Sequence, residues 1–539
     1  MTTVFKAARV LTMDHNIPEA THVAVRDGVV LAVGGPDCAA GWGPYTVDDR
    51  FADHVLMPGL IEAHAHVSAG GVWRNTYCGH YARTDPDGKV WEGAPTAEAL
   101  IERLRAVAAT TPEGEPVIGW GFDPNFLPGR RLDKEHLDQV STKHKVLVIH
   151  SNFHLATANS RTLEAAGISR DTNTIGVTRG PDGAPNGELQ EFAAMAPAMQ
   201  ATGAAFGDLS DEAAVRNYGK IARNCGVTTV ADLLSDLYDD EVAMLSRVTG
   251  EASFPARYVP IMNAMQGAPE EEAARAVALR AHSTDKLFLG RAKLFTDGAI
   301  QGGTALLKAP GYYQMEDNGM WNMEPEHFRA AVLALHRAGV KTHVHTNGDA
   351  ASEAAIDAYR AAMLASPNPD LRHTLEHVQL ADLSQFTRMR ALGLTVNVFA
   401  NHIHYFGDIH YTKSLGPERA ERIDACADAW AVFGADFAIH SDAPVTPMAP
   451  LVTAWAAVTR QTESGRILGR NQRITVGQAL RNITMGAAYV LGLEDQVGSI
   501  TVGKRADFCV LDRDPLSVEP AALRDVVPLA TVLGGEVTQ

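Results

Sequence analysis

The chain has 539 residues, enough for two or three domains or for one elaborated barrel. Hydrophobic residues make up 46% and charged residues 21% of the chain, the balance of a soluble globular protein. The formal net charge of −17 argues against a nucleic-acid-binding protein, because a phosphate binder needs a basic surface.

The first residues give no indication of a secretory signal, since Met1 to Asn16 contains no apolar core. The 5 cysteines include no Cys-x-x-Cys pair, which is typical of a reduced cytosolic protein rather than a disulfide-linked one. No apolar run reaches the roughly 18 residues of a membrane span. These features predict a cytoplasmic protein with neither nucleic acid nor membrane as a partner. A homodimer is the expected assembly.

Short apolar runs at both ends of the chain predict one small β-sandwich built from the two termini. Near the start, Asp27-Gly28 stands between two apolar runs, which is a hairpin signal. Near the end, Ala506–Asp512 has the pattern of another strand. Because neither end is large enough to hold a core of its own, we expect residues 1–56 and 494–539 to pack together.

Between the two ends, strand-like runs alternate with helical stretches, the pattern of a parallel α/β fold. Eight strands with crossover helices close naturally into a (β/α)₈ TIM barrel, predicted here over residues 57–493. The eight predicted strands are Leu60–Val67, Thr228–Leu233, Arg257–Met262, Arg291–Phe295, Lys341–His345, His373–His377, Leu394–Phe399 and Phe437–His440.

The first crossover is far too long, since about 150 residues separate the first two barrel strands where a few dozen suffice. This segment has predicted elements of its own, including a helix over Ala97–Thr110 and a strand over Lys145–Ser151. We therefore predict a large insertion after strand 1, an inserted subdomain spanning residues 70–215 that lies over the active site.

The first barrel strand ends in His64-Ala65-His66 after Met57-Pro58-Gly59. On a strand, residues two apart point to the same side, so both imidazoles face one way. Two neutral imidazoles at the end of a buried strand can bind a first-row metal ion. The alternative is a pair of hydrogen-bonded core histidines, which further ligands downstream would disfavour.

Polar residues also stand at the ends of later strands, on the face where barrel enzymes place their catalytic groups. Lys293 is at the end of strand 4, His343 and His345 of strand 5, His377 of strand 6 and Asp442 of strand 8. Four or more nitrogen and oxygen ligands from separate strands suit Zn²⁺ or another divalent first-row ion. The pattern predicts a metal centre at this end of the barrel.

The order of these residues over the strands resembles the amidohydrolase superfamily. The motifs Lys293-x-x-x-Asp-Gly, Gly-Asp after His345, Glu-His at His377 and Ser-Asp-Ala-Pro at Asp442 are similar to its YtcJ-like branch (amidohydrolase family 3). Arg26-Asp27-Gly28 and the closing Gly-Ser-Ile-x-x-Gly-Lys-x-Ala-Asp are similar as well, so the resemblance spans nearly the whole chain.

The resemblance implies a ligand set for two zinc ions. His64, His66 and Asp442 would hold the more buried ion, and His345 and His377 the more exposed one. Lys293, carboxylated on its ε-nitrogen, would bridge the two ions, because an unmodified ammonium has no lone pair to donate. If Lys293 stays an ammonium, the site holds one metal or binds a substrate anion. His343 shares a face with His345 and is the alternative ligand there.

This ligand set predicts a metal-dependent amidohydrolase, an enzyme that cleaves a non-peptide C–N bond (amide, N-acyl or N-formyl) of a small molecule. A bound metal lowers the pKa of water to about 7 and polarises a carbonyl group. Asp442 would take the proton from the attacking hydroxide and pass it to the leaving nitrogen. The alternative for Asp442 is an ordinary helix N-cap.

Two other functions stay open. One is a deaminase or cyclic-imide hydrolase on the same scaffold, although the one-metal deaminases of the superfamily lack the lysine of strand 4. The other is a non-catalytic metal-binding regulatory protein, which the complete ligand set disfavours. Candidate substrate-binding residues follow the predicted strand ends or lie in the insertion, and each could equally be a hydrogen-bonded loop residue; they are His154, Asp297, Gln301, His402, His404 and Tyr405.

Overall fold

The eight predicted barrel strands form one parallel sheet, in the order in which they occur in the chain. The computed structural model describes residues 1–127, 131–204, 209–317 and 319–538. At the carboxyl end, the amide of Asp442 donates to the carbonyl of His64 (3.1 Å) and the amide of His66 donates to that of Ala443 (2.8 Å), which joins the first strand to the last. The prediction of a (β/α)₈ barrel is confirmed. Its strands are Leu60–Ala65, Val227–Ser235, Arg257–Asn263, Ala292–Phe295, Thr342–Thr346, Thr374–His377, Thr395–Val398 and Ala438–Ile439.

The helices that follow the strands cover the barrel with one apolar face each. In Pro325–Arg337, for example, Phe328, Val332 and Leu335 recur at helical spacing and are buried. The other helices of this layer are Ser68–Gly71, Glu212–Asn224, Asp239–Gly250, Pro269–Leu279, Asp349–Ala365, Leu383–Ala391, Asn401–Ile409, Gly416–Ala420, Cys426–Phe433, Pro450–Thr459, Val476–Asn482 and Met485–Leu491. No helix in the described ranges combines the length and apolarity needed to cross a membrane.

Strands from both ends of the chain form a single seven-stranded sheet, as the apolar runs at the two ends predict. Asp27 and Gly28 both have positive φ (52° and 75°), the conformation that a two-residue hairpin requires. The side chains that share the core of this sheet include Phe5, Leu56 and Phe508, so its own strands close around that core. In spatial order the strands are Glu536–Thr538, Pro528–Leu533, Phe508–Leu511, Tyr45–Pro58, Thr2–Leu11, Glu19–Arg26 and Val29–Gly34.

A buried ion pair joins the terminal sheet to the barrel. Arg257, at the start of the third barrel strand, donates from Nε and Nη2 to the two carboxylate oxygens of Asp507, over 2.6 and 2.9 Å. Asp507 also accepts from the amide of Gly534 (2.8 Å), and its carbonyl accepts from the amide of Gly59 (2.9 Å). The aspartate of the Gly-Lys-x-Ala-Asp motif therefore fixes the terminal sheet to the barrel just before its first strand.

The insertion after the first barrel strand has a six-stranded sheet of its own. In spatial order its strands are Val177–Arg179, Pro185–Gln190, Leu155–Ala158, Val146–His150, Val117–Phe122 and Thr76–Tyr77. A separate two-stranded ribbon pairs Arg83–Thr84 with Val90–Trp91. The helices of this segment are Ala97–Ala108, Lys134–Asp138, Ser160–Ala165 and Glu191–Thr202. Phe153, His154 and Phe192 of this segment line the cavity at the barrel mouth, so the insertion covers the carboxyl ends of the barrel strands.

Candidate metal centre

All six predicted metal ligands line one cavity of about 750 Å³ at the carboxyl ends of the barrel strands. They are His64, His66, Lys293, His345, His377 and Asp442. Five of them are buried, and His66, with its side chain 23% exposed, is the most accessible. Residues that are hundreds of positions apart therefore converge where a barrel enzyme carries its chemistry.

The ligand atoms form two neighbouring groups. In the first, Oδ1 of Asp442 lies 3.3 Å from Nε2 of His64 and 3.2 Å from Nε2 of His66. In the second, Nδ1 of His345 lies 3.1 Å from Nε2 of His377. Asp442 connects the groups, because its Oδ2 lies 3.9 Å from Nδ1 of His377. The six predicted ligands are thus close together, and their division between two ions stays a prediction.

The hydrogen bonds of His64 test whether this site fits a cation. Its Nδ1 lies 2.7 Å from Oε2 of Glu376, while its Nε2 faces Asp442. Burial lowers the pKa of His64 well below its ordinary value, so the ring is neutral and carries a single N–H. When Nδ1 donates to Glu376, the lone pair of Nε2 faces Oδ1 of Asp442, a buried oxygen that has no hydrogen-bond partner among the described residues. A divalent cation between Nε2 and Oδ1 removes this repulsion, so the site fits a metal ion.

In the second group, a hydrogen bond likewise orients the ring of a candidate ligand, His345. Nε2 of His345 lies 3.2 Å from the carbonyl oxygen of Gly298, to which it can donate its proton. The lone pair then remains on Nδ1, the nitrogen that faces His377. His343, the alternative ligand on this strand, lies deeper, and its Nδ1 is 2.6 Å from Oε1 of Glu376. The structure thus brings His345 to the cavity and leaves His343 outside the cavity lining.

Lys293 is fully buried, and its Nζ has no hydrogen-bond partner. Burial lowers the pKa of Lys293 by more than the nearby carboxyl groups of Glu376 and Asp442 raise it, so that the resulting pKa is about 8. Carboxylation consumes a neutral amine, and a lowered pKa increases the neutral fraction at pH 7. An orphaned buried amine in this position therefore suits a lysine that becomes a carbamate ligand.

Two of the ligands have backbone conformations that are uncommon for non-glycine residues. The φ angles of His377 and Asp442 are 67° and 54°, in the left-handed region. Such strain persists only where surrounding structure fixes it, and it concentrates at functional sites. The turn at His377 breaks the strand alternation, so that both Glu376 and His377, adjacent in sequence, reach the ligand groups.

Of the predicted substrate-binding residues, the structure brings His154 to the cavity. Its Nδ1 lies 2.7 Å from Oε2 of Glu191, and its ring centroid lies 5.6 Å from that of His345. Burial lowers the pKa of His154, but the Glu191 carboxylate outweighs this effect, and the net shift is upward. His154 therefore presents a polar group on the wall opposite the metal ligands.

The structure does not bring the other five to this cavity. Asp297 is fully buried, and its carboxylate accepts from the amides of Asn347 (3.0 Å), Gly348 (2.8 Å) and Leu306 (2.9 Å), so it holds loops together. His402 pairs with His410 (2.8 Å) and His404 with the carbonyl of Gln461 (3.2 Å). Gln301 is buried, and Tyr405 packs on Tyr81 beside a separate small pocket. For these residues, the alternative of a hydrogen-bonded or packed loop position fits the contacts seen.

Two functional side chains are absent from the predicted set. The carboxyl group of Glu376 forms hydrogen bonds with Nδ1 of both His64 and His343, and Nε2 of His440 lies 3.0 Å from Nδ1 of His377. The ligand atoms of His64, His377, His440 and Asp442 all lie within 4.8 Å of one another. The side chains of Glu376 and His377 can both reach the ligand groups only because the turn at His377 breaks the alternation of the strand. No sequence pattern reveals such a break. His440 has a signal, because it shares a strand face with Asp442.

Known proteins are similar to this chain over nearly its whole length. The sequence profile described as the amidohydrolase family matches residues 52–539. Three relatives align over nearly the whole chain. LONG AFTER FAR-RED 3 of Arabidopsis thaliana is 27% identical and covers 98% of this chain and 90% of its own. The putative amidohydrolase YtcJ of Bacillus subtilis is 26% identical, with coverage of 100% and 99%. The N-substituted formamide deformylase of Arthrobacter pascens is 25% identical, with coverage of 98% and 96%.

Among solved structures, an uncharacterized metal-dependent hydrolase from Pyrococcus horikoshii superimposes with a TM-score of 0.72. It is 21% identical in sequence, and the match covers 96% of this chain and 99% of that one. At this identity the likeness establishes the fold, and the profile match over most of the chain establishes the family. With its ligand residues gathered at one barrel mouth, the chain belongs to the amidohydrolase family.

Proposed function

We propose that this protein hydrolyses a non-peptide C–N bond, of amide, N-acyl or N-formyl type, in a small molecule and that it depends on zinc. The observation that carries the proposal is the pair of carboxylates, Glu376 and Asp442, that face the two nitrogens of a neutral His64 at the cavity floor. A relative that aligns along the whole chain is named as an N-substituted formamide deformylase, which is an enzyme of this reaction type.

His64, His66 and Asp442 would hold one ion, and His345 and His377 a second, with Lys293 carboxylated between them. When bound, the ions supply Lewis acidity toward a carbonyl oxygen and lower the pKa of water to about 7. The donor set of imidazole nitrogens and carboxylate oxygens suits Zn²⁺. The orphaned, buried Nζ of Lys293 supports the modified lysine.

The side chains of the protein manage the protons. Asp442 lines the cavity. Its Oδ1 faces His64 and His66, and its Oδ2 faces His377. This carboxylate takes the proton of the attacking water as the C–O bond forms. It then delivers the proton to the nitrogen as the C–N bond breaks, so that a carboxylic acid and an amine leave. Because Nδ1 of His154 donates to Glu191, its Nε2 is the nitrogen available to the substrate.

The test is hydrolysis of a panel of N-formyl and N-acyl amines by the zinc-loaded protein. We expect turnover that stops with a chelator and returns with zinc. Asp442→Asn should lose about 10²- to 10⁴-fold in kcat, and its metal content must be measured beside its rate. Turnover that resists the chelator, or wild-type rates in Asp442→Asn with metal retained, would contradict the proposal.

A further inference from the structure

The cavity continues outward from the metal ligands along an apolar wall. Its side chains come from the insertion and from the barrel loops that face it, and they include Phe153, Phe192, Met244, Met265, Phe295 and Val445. A cavity of about 750 Å³ is the size that ligand sites for small molecules usually have. Its occupant therefore has an apolar body of considerable size.

This apolar wall begins directly beside a metal ligand. The ring of Phe295 stacks on that of His345 with centroids 4.6 Å apart, and the ring of Phe192 meets Phe295 edge-on at 6.0 Å. Phe192 also lies 5.6 Å from His154, centroid to centroid. A substrate whose scissile bond lies at His345 and His377 thus places its next group against aromatic rings.

Away from the candidate metal ligands and His154, the charged side chains that line the cavity are all acidic. Among the described residues that line it there is no arginine and one lysine, Lys293, which is fully buried with its Nζ 4.8 Å from the centroid of the Phe295 ring. The single histidine of the insertion in the lining, His154, is already paired with Glu191. Away from the metal centre, the described lining therefore offers no free cation to bind a substrate carboxylate through a bidentate contact.

Carboxylates occupy the outer end of the cavity. Asp236, Asp240 and Glu241 line it, and no lysine or arginine in the described part of the chain pairs with them. The side chain of Asp236 accepts from the side-chain amides of Asn263 (3.2 Å) and Gln266 (2.8 Å), and its backbone carbonyl accepts from Nη1 of Arg275 (2.6 Å). Burial and the neighbouring carboxylates raise the pKa of Glu241 to about 7. Arg275 lies behind this wall and pairs with Glu272 (2.9 Å).

From this lining we propose that the substrate is an uncharged amide with an aromatic or branched apolar group next to the scissile bond, and that amides bearing a carboxylate on the far side of that group are rejected. The inference rests on the proposed function and narrows its substrate class. An anion at the outer end of the cavity, away from the metal centre, loses water and meets carboxylates that form no ion pair with a described lysine or arginine, while an isosteric neutral group avoids both penalties.

The experiment compares two substrates of nearly the same shape, whose charged or neutral group lies at the end distant from the formamide: 4-(formamidomethyl)benzoate and 4-(formamidomethyl)benzamide. The rate is the release of formate from the zinc-loaded enzyme. We expect kcat/KM for the charged compound to be lower by about tenfold or more. The double variant Asp236→Asn/Glu241→Gln should reduce that ratio by about threefold or more, with the rate on the neutral compound retained. Asp239→Asn, which removes a charge from the same helix start outside the cavity lining, should leave the ratio unchanged.

The outcomes separate the two proposals. Equal or faster hydrolysis of the charged compound would overturn the inference and leave the proposed function standing. A ratio that the double variant does not change would overturn the role of the outer carboxylates. Absence of formate from both compounds, and of product from every amine of the wider panel, would overturn the proposed function and the inference with it.

Discussion

Nδ1 of His64 lies 2.7 Å from Oε2 of Glu376, within hydrogen-bond distance. The other oxygen of the same carboxylate lies 2.6 Å from Nδ1 of His343, and the amide of Asn397 donates to Oε2 over 2.9 Å. Glu376 is fully buried and fixes the tautomer that leaves Nε2 of His64 free as a metal ligand. A residue that touches no metal thus determines which nitrogen of a ligand can bind one.

Glu376→Gln should weaken zinc binding by about 10- to 100-fold, because a carboxamide holds the His64 ring less firmly and does not increase its basicity. The measurement is competition with a chromophoric chelator, together with the absorption spectrum of the cobalt-loaded protein. Glu62→Gln is the matched control, since the buried carboxylate of Glu62 contacts Ser441 and the backbone amide of His64 rather than its ring. Equal zinc affinity in Glu376→Gln and the wild type would refute the orienting role.

If two ions bind as proposed, Lys293→Ala should lower the metal content from about two ions to one per chain, because the variant cannot form the proposed carbamate ligand. Acetate or propionate added to the variant should restore part of the second ion by taking the position of the carbamate. The measurement is metal analysis after dialysis with and without the acid. Lys341→Met removes a lysine at the opposite end of the barrel, where Lys341 caps the carbonyl of Arg372, and should leave the count unchanged. A full metal content in Lys293→Ala without added acid would contradict the carbamate.

Asp507→Ala should lower the free energy of unfolding by about 3–5 kcal/mol, because Arg257 keeps a buried charge without its main partner. The double replacement Arg257→Met/Asp507→Leu should lose less than the single one, since it removes both charges together. Urea unfolding of the three proteins measures the difference. If Asp507→Ala is as stable as the wild type, then the pair does not join the terminal sheet to the barrel.

The insertion should lose stability in acid through His150. Burial lowers the pKa of this ring to about 3, whereas the unfolded chain titrates near 6.5, so below that pH the unfolded state binds the extra proton. Stability is then present above pH 6.5 and falls as the pH drops from there toward 3. Between pH 7 and pH 5 the loss from this residue is about 2 kcal/mol. His150→Gln, which keeps a partner for Thr157, should lack this part of the loss when urea unfolding is compared at the two pH values.

Much of the barrel could be predicted because each strand is a short apolar run that ends in polar residues. The helices were harder to predict where one residue with an unusual backbone conformation divides a stretch that has helical periodicity. The sequence pattern over Glu418–Phe433 predicts one helix, but the structure has two, because Asp424 has a φ of 51° between them. The pattern over Thr475–Leu493 also predicts one helix, but the structure divides it at Thr484, where φ and ψ are −131° and −91°. Backbone breaks of this kind depend on tertiary contacts and leave no periodic signal.

The candidate metal ligands could be predicted from the sequence, but the residues that surround them could not. His64 and Asp442 could be found because they end strands on one face of the barrel. The cavity wall could not, because Phe192 and Met244 come from two unrelated segments that meet only in the folded chain. The loop residues after the seventh strand show the reverse error. His402 and His404 follow the seventh strand and are therefore predicted to reach the substrate, yet they lie in a helix, Asn401–Ile409, outside the cavity lining.

The strand Tyr45–Pro58 has one neighbour from the start of the chain, Thr2–Leu11, and the other, Phe508–Leu511, from its end. During synthesis, more than four hundred residues are therefore added after Tyr45–Pro58 before the strand that pairs with its second edge is made. Until then its unpaired N–H and C=O groups are open to other chains in the ribosome's surroundings. The order of translation thus makes the nascent form of this protein dependent on protection that the finished molecule no longer requires.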